Sequence, residues 1–451
     1  MPNRTNRTQG DHVKTRNSLR SMLLVALLLG SFGAAAATPT SEPHRVSAIS
    51  MTPAGQPRLT LAGGAGTAFR SYFDLYRLES STDLIRWSPL ATVVGTNAAT
   101  NPLTFVDDTQ PNGPQRFYRT PSNHVLTPFH APTGPHPVGT LSRLLTDPSR
   151  SNRFGVMTNS SFMVSCWYPA RSPGEALASY VDRPLAERRT YWGSIANAAP
   201  ALVQHATSEA PILADAGAFP VIVYSHGLGD QEGRAVRTEN TAKAVQLASH
   251  GYVVVSMDHT DTYATVLPSG EVIAGRNAWS FAFASDRLRD VAFLLDRLAE
   301  WQAEDPFFKG LLDTRRIGIM GWSFGGGTAA EACRVDDRIQ AAVLLDPYLA
   351  AVPVAQKGLS RPYLNMAGSP DPTLFAKTST NAYQLTIDGA AHESYTDNAW
   401  TISPNTASRR RAYAMEACMV SFFNKHLKNS DDHLLDNPRG SHPDVVGFRK
   451  K

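Results

Sequence analysis

The chain has 451 residues, enough for two or three domains and a sizeable core. At 42% hydrophobic and 18% charged residues, its composition is that of an ordinary globular protein. The formal net charge of +4 resides in residues 1–37, where Arg4, Arg7, Lys14, Arg16 and Arg20 face only Asp11; the neutral remainder carries no electrostatic footprint for nucleic acid.

That basic stretch precedes the apolar run Met22-Leu-Leu-Val-Ala-Leu-Leu-Leu and the small residues Gly33 to Ala37. The apolar run is too short to span a bilayer, and the pattern predicts a signal peptide over residues 1–37 and a secreted or periplasmic protein. No cysteine follows the run, so a lipoprotein anchor is not expected. Residues 46–120 hold short alternating segments (Arg58-Leu-Thr-Leu, Tyr72-Phe-Asp-Leu-Tyr-Arg-Leu, Leu90-Ala-Thr-Val-Val, Leu103-Thr-Phe-Val, Arg116-Phe-Tyr-Arg) separated by turn residues. They predict a small β-sandwich, a spacer or a contact to a surface or polymer. Residues 121–137 are rich in Pro and His and read as a linker.

From residue 138 to 430 strands alternate with helices, which predicts one doubly wound, mostly parallel α/β domain. Ser161 to Pro169 reads as a strand, and residues 170–218 as an irregular lid or surface excursion. Phe219-Pro-Val-Ile-Val-Tyr is apolar on both faces, as buried parallel strands are, and it ends in Ser225-His-Gly-Leu-Gly. A helix from Thr241 to His250 and a strand from Tyr252 to Met257 come next. Ser285 to Gln302 carries Leu288, Val291, Leu295 and Leu298 at helical spacing. Strands are predicted at Ile317–Met320, Ala341–Leu345, Pro362–Met366 and Leu385–Ile387, with a helix from Arg409 to Lys428. Residues 431–451 read as a polar tail.

The chemistry centres on Gly321-Trp-Ser-Phe-Gly, a G-x-S-x-G sequence between a strand and an Ala-rich helix. A nucleophile elbow needs that context, with the serine exposed at the top of the sheet. Serine needs a base, an acid behind the base and donors for the oxyanion. In α/β-hydrolases these come in the order Ser, acid, His. Ser323 is the candidate nucleophile. His392, in the loop after the last strand, is the candidate base; His426 lies within a helix beside lysines and reads as solvated. Two residues at strand ends compete for the acid, Asp346 and Asp371. The backbone N–H groups of Leu228 and Phe324 are the candidate oxyanion donors. His226 reads as a loop brace. A metal on His226, Asp258 and His259 has no further support at ligand spacing, and neither metal nor cofactor is expected. Cys166, Cys333 and Cys418 are far apart; either one disulfide or buried free thiols would fit.

Several segments then point to one family. Thr133-Gly-Pro-His-Pro-Val-Gly, Trp167-Tyr-Pro, Tyr224-Ser-His-Gly-Leu-Gly, Leu247-Ala-Ser-His-Gly-Tyr-Val-Val, Asp258-His, Gly321-Trp-Ser-Phe-Gly-Gly, Leu345-Asp-Pro and Ala391-His-Glu resemble the plasma-type platelet-activating factor acetylhydrolases. The likeness runs over about residues 130–428. It implies an α/β-hydrolase fold and a calcium-independent serine hydrolase of small-molecule or lipid esters, cleaving short or oxidised sn-2 acyl chains of phospholipids. It maps the nucleophile onto Ser323, the acid onto Asp346, the base onto His392 and the oxyanion donors onto Leu228 and Phe324. Related bacterial short-chain esterases and cutinase-like polyesterases usually take the acid from the later strand, where Asp371 stands. A surface-binding protein with an inactive hydrolase domain is the alternative from another class. Residues 46–120 resemble the fibronectin-III-like modules appended to exported bacterial enzymes.

Overall fold

Apolar strands at both ends of short loops, alternating with helices, build one wide sheet with helices on its two faces. The computed structural model describes residues 41–53, 56–65, 73–96, 103–107, 116–120, 129–151, 159–172, 177–182, 203–228, 236–259, 264–274, 284–379, 381–397, 400 and 406–451. The expected signal peptide lies outside them.

The N-terminal part contains β1 (Ser41–Met51), β2 (Pro57–Ala65), β3 (Phe73–Ser81), β4 (Ser88–Thr96), β5 (Leu103–Val106) and β6 (Phe117–Arg119). They form two three-stranded sheets, ordered β1-β2-β5 and β4-β3-β6. Leu59, Leu61 and Leu78 are buried in a small core with Val46, Leu90, Phe105 and Tyr118 against it.

The main sheet uses β7 (Val138–Ser151), β8 (Asn159–Pro169), β9 (Leu177–Ser179), β10 (Val203–Ser208), β11 (Phe219–Ser225) and, after helix α1 (Thr241–Ser249), β12 (Val253–Met257). A small hairpin of β13 (Ala264–Val266) and β14 (Val272–Ala274) precedes α2 (Ala284–Glu304). Then come β15 (Leu312–Trp322), α3 (Phe324–Val335), β16 (Ile339–Leu345), α4 (Val354–Lys357), β17 (Tyr363–Ala367), α5 (Pro372–Lys377), β18 (Ala382–Ile387), α6 (Thr406–Lys428), α7 (Pro438–Ser441) and β19 (Val445–Lys450).

Among the described residues the sheet has eleven strands in the order β19-β18-β17-β16-β15-β11-β12-β8-β7-β10-β9. The six from β18 to β12 are mutually parallel, and β8 pairs antiparallel to β12. Strand side chains alternate between two cores because successive residues point to opposite faces. Val221, Val223, Val253 and Val255 pack with Val291, Leu294 and Leu298 of α2 and the alanines of α3. Ile222, Tyr224, Val254 and Met320 pack with Val245 and Leu247 of α1 and with Met415, Cys418 and Phe422 of α6.

Three expectations change. The residues read as a polar tail include β19, which pairs antiparallel with β18 and buries Val445 completely. Residues 129–137, read as linker, dock on the domain: Phe129 is buried, and His130 Nε2 lies 2.5 Å from Glu416 Oε2 on α6. Residues 170–218, read as irregular, supply β9 and β10 to the sheet. The three cysteines are buried free thiols.

Candidate active site

The strands β11, β15 and β16 run parallel in adjacent positions and end at Ser225, Trp322 and Leu345. The loops that leave these ends therefore meet at one edge of the sheet. After β15 the chain turns through Ser323 at φ 54° and ψ −120°, outside the regions that L-residues ordinarily occupy, and enters α3 at once. Glycines on both sides make the turn possible by close approach. A Cβ on Gly321 would stand 2.2 Å from the Gly325 carbonyl oxygen, and one on Gly325 would stand 2.1 Å from that of Ser225. The turn is pinned by Ser323 N–H donating to Leu345 O (3.0 Å) and by Ser323 O accepting from Tyr348 and Gly327 N–H (2.7 and 3.1 Å). No acidic residue lies in the first turn of α3, and the positive end of its dipole faces the serine.

After β16, Asp346 also has positive φ (41°). His392 opens a short 3-10 turn (His392–Tyr395) in the loop after β18. Its Nε2 lies 2.8 Å from Ser323 Oγ and its Nδ1 lies 2.5 Å from Asp346 Oδ2. The neighbouring Trp322 fixes that loop: its indole N–H donates to His392 O at 2.9 Å, and the two rings sit 4.7 Å apart. All three side chains are half-buried, so the serine is reachable from solvent. Asp371 is elsewhere. It is exposed and caps α5, accepting from Thr373 N–H at 2.7 Å.

The loop after β11 lies against the elbow, since a Cβ on Gly227 would stand 2.5 Å from the Trp322 ring. This brings the Leu228 end of that loop and the Phe324 N-terminus of α3 to the same edge. His226 is a brace. Its Nε2 accepts from His259 N–H (3.0 Å), so its proton sits on Nδ1, which donates to Gly227 O (2.6 Å). Burial first, and the Arg287 charge second, hold it well below the ordinary imidazole pKa. Asp258 binds Arg237, and His259 lies between Ser225 Oγ (2.8 Å) and Asp290 Oδ2 (3.1 Å). Among the described residues no group of three His, Cys, Asp or Glu is arranged to hold a metal ion. His426 is not solvated as expected; it packs 4.7 Å from the Phe422 ring, and burial lowers its pKa to about 4.

Sequence reasoning missed two buried polar residues beneath the loop. Glu239 Oε1 accepts from Gly227 N–H (2.9 Å) and from Tyr224 O–H (2.5 Å). Arg287 of α2 donates to His226 O (2.6 Å) and Gly227 O (3.0 Å). A signal for Arg287 existed: it lies four residues before Val291, on the helix face that buries leucines.

Comparison with known proteins bears on the same segments. Residues 122–269 match the family model of platelet-activating factor acetylhydrolase, isoform II, and residues 238–434 match that of PET hydrolase-like proteins. The platelet-activating factor acetylhydrolase of Gallus gallus is 22% identical over 346 residues, covering 63% of this chain and 76% of that one. Those of Cavia porcellus and Bos taurus are 27% and 24% identical; the matches cover 29% and 41% of this chain. This chain spans only 35% and 50% of the length of those two relatives. A solved ferulic acid esterase from Streptomyces cinnamoneus superposes with a TM-score of 0.60 at 27% identity, covering 71% of this chain and 98% of that one. With its parallel sheet and strand–turn–helix elbow, the chain has an α/β-hydrolase fold, and its segments are similar to those of the platelet-activating factor acetylhydrolases.

Proposed function

We propose that this chain hydrolyses carboxylic esters through an acyl intermediate on Ser323. The observation that carries the reading is the unbroken hydrogen-bonded chain Ser323–His392–Asp346 on a strained turn, open to solvent. His392 Nε2 takes the hydroxyl proton as Ser323 Oγ attacks the ester carbon, and Asp346 orients the imidazole and stabilises its charged form. The carbonyl oxygen becomes an anion facing Leu228 N–H, Phe324 N–H and the helix end. Collapse breaks the C–O bond to the alcohol, which leaves with the proton from His392. Water then attacks the acyl-enzyme with His392 again as base, and the acid departs.

For the substrate, the proposal is the short or oxidised sn-2 acyl group of a phospholipid. Two features support it: the acid beside His392 is Asp346 at the end of β16, not Asp371, and the platelet-activating factor acetylhydrolase match includes the Ser225–Leu228 loop. A second reading, a short-chain esterase or cutinase-like polyesterase, is favoured by the PET hydrolase-like match, which spans Ser323, Asp346 and His392. Secretion through residues 1–37 and surface contact through the N-terminal sheets belong to the same proposal. The test is hydrolysis of an sn-2-acetyl phospholipid beside p-nitrophenyl acetate, with Ser323→Ala as blank. Cleavage of both, lost in the variant, is expected. Cleavage of the small ester alone moves the substrate to the second reading. No cleavage, with no fluorophosphonate label on Ser323, overturns the hydrolase.

A further inference from the structure

We infer that Arg287 is a positioning residue that aims the oxyanion hole, an inference that rests on the hydrolase reading. Arg287 is completely buried on α2, well away in sequence from both candidate donors. Its Nη1 donates to His226 O at 2.6 Å and its Nη2 to Gly227 O at 3.0 Å. The peptide joining Gly227 to Leu228 is planar and trans, so its C=O and N–H point in opposite directions. Holding the Gly227 carbonyl inward therefore turns the Leu228 N–H outward, to the edge where Ser323 stands. The same guanidinium lies 4.8 Å from the centre of the Phe324 ring, whose backbone N–H is the other donor. One cation thus touches the residues that set both donors.

His226 Nδ1–H is a second donor to Gly227 O, so the oxygen accepts from two groups. The Gly227 N–H is held by Glu239, which fixes the preceding peptide. A planar guanidinium can bridge two successive carbonyls with separate N–H groups; an ammonium is a single point donor on a flexible stem and cannot reproduce the fork. A lysine at 287 keeps the charge and loses the geometry.

The experiment compares Arg287→Lys and Arg287→Met with the parent chain. Each is assayed on p-nitrophenyl acetate with rates divided by sites titrated with a fluorophosphonate. Affinity for a short-chain trifluoromethyl ketone, whose adduct with Ser323 carries an oxyanion, is measured alongside. Removing one oxyanion donor costs roughly 10²–10³ in kcat, so misdirecting one is expected to lower kcat by about 10–100-fold with KM changed less than about threefold. Ketone affinity should fall by the same factor as kcat. Normal kcat per site, with only the number of sites reduced, would overturn the inference and leave Arg287 a packing residue. A rise in KM at constant kcat would overturn it too. If neither variant folds, His226→Gln, which removes the other grip on Gly227 O, should lower kcat and ketone affinity in parallel, and no change in either counts against the inference. Full turnover in Ser323→Ala would instead sink the hydrolase reading, an outcome the Arg287 variants cannot mimic.

Discussion

Two Ser–His–Asp chains stand at the same end of this sheet, and they differ in almost everything except their side chains. In one, Ser323, His392 and Asp346 are joined by contacts of 2.8 and 2.5 Å. In the other, Ser225, His259 and Asp290 are joined by 2.8 and 3.1 Å. Ser225 even lies opposite Gly321 in register, one strand over from the elbow. Yet the His392 side chain is 41% exposed, whereas those of His259 and Asp290 are 0%. Ser225 ends a regular strand, and Ser323 occupies a turn with φ 54° at a helix N-terminus. The buried set ties β11, the segment after β12 and α2 together, and Arg150 of β7 adds a further bond to Asp290 at 2.9 Å. A hydrogen-bonded Ser, His and Asp is thus a structural tie when sealed in the core; access and aimed donors make it reactive.

The largest effect that separates the two sets is expected from Asp346→Asn, which should cut kcat by about 10³–10⁴-fold by misorienting His392. Asp371→Ala should lose only the α5 cap, about 1 kcal/mol of stability, with turnover retained. The reverse pattern, turnover lost on changing Asp371 and kept on changing Asp346, would move the acid to Asp371. Next, Asp290→Asn should destabilise the fold by roughly 3 kcal/mol, because it removes the carboxylate that the buried His259 imidazole shares with the half-buried Arg150 guanidinium. Its kcat per titrated site should stay within about threefold of the parent. Urea unfolding and site titration measure the two quantities, and a stable but inactive variant would make the buried set part of the chemistry.

The smallest effect concerns Glu239. Burial raises its pKa to about 8, above the ordinary 4.5, and its Oε2 has no hydrogen-bond partner among the described residues. The folded state therefore holds a proton that the unfolded chain releases at lower pH. The stability contributed is full below about pH 4.5 and is lost as pH rises through about 8. Glu239→Gln keeps the shape without the titration and should flatten the fall in unfolding free energy between pH 5 and 8. An unchanged slope would assign that fall to other groups, with Asp397, raised by burial to about 7, the first to test.

The elbow was legible in the sequence because its constraint is local: a strand, a serine and flanking glycines lie within one dozen residues. His392 was legible from its position after the last strand, whereas Asp346 and Asp371 both stand at strand ends and only the family resemblance preferred Asp346. The buried set was not, because Ser225, His259 and Asp290 come from a strand end, a loop and a helix and each looks like an ordinary polar residue. Strand β19 escaped because Val445-Val-Gly-Phe-Arg-Lys has only three large apolar side chains and two cations. Cationic side chains are what an exposed sheet edge requires to resist pairing with other chains. Strand β7 escaped for a related reason, since its outer half, Thr146 to Ser151, is Thr-Asp-Pro-Ser-Arg-Ser, without a single large apolar side chain.

Two residues of the exposed set, Ser323 and Asp346, share a backbone trait: positive φ in residues that carry a side chain. Such positions cost on the order of 1–3 kcal/mol each. A glycine at either would relieve that cost while removing the hydroxyl or the carboxylate. Heat resistance and turnover therefore pull against each other at these two sites. A campaign that ranked variants of this protein by melting temperature alone would drift toward inert molecules, and it would do so first where the sheet ends.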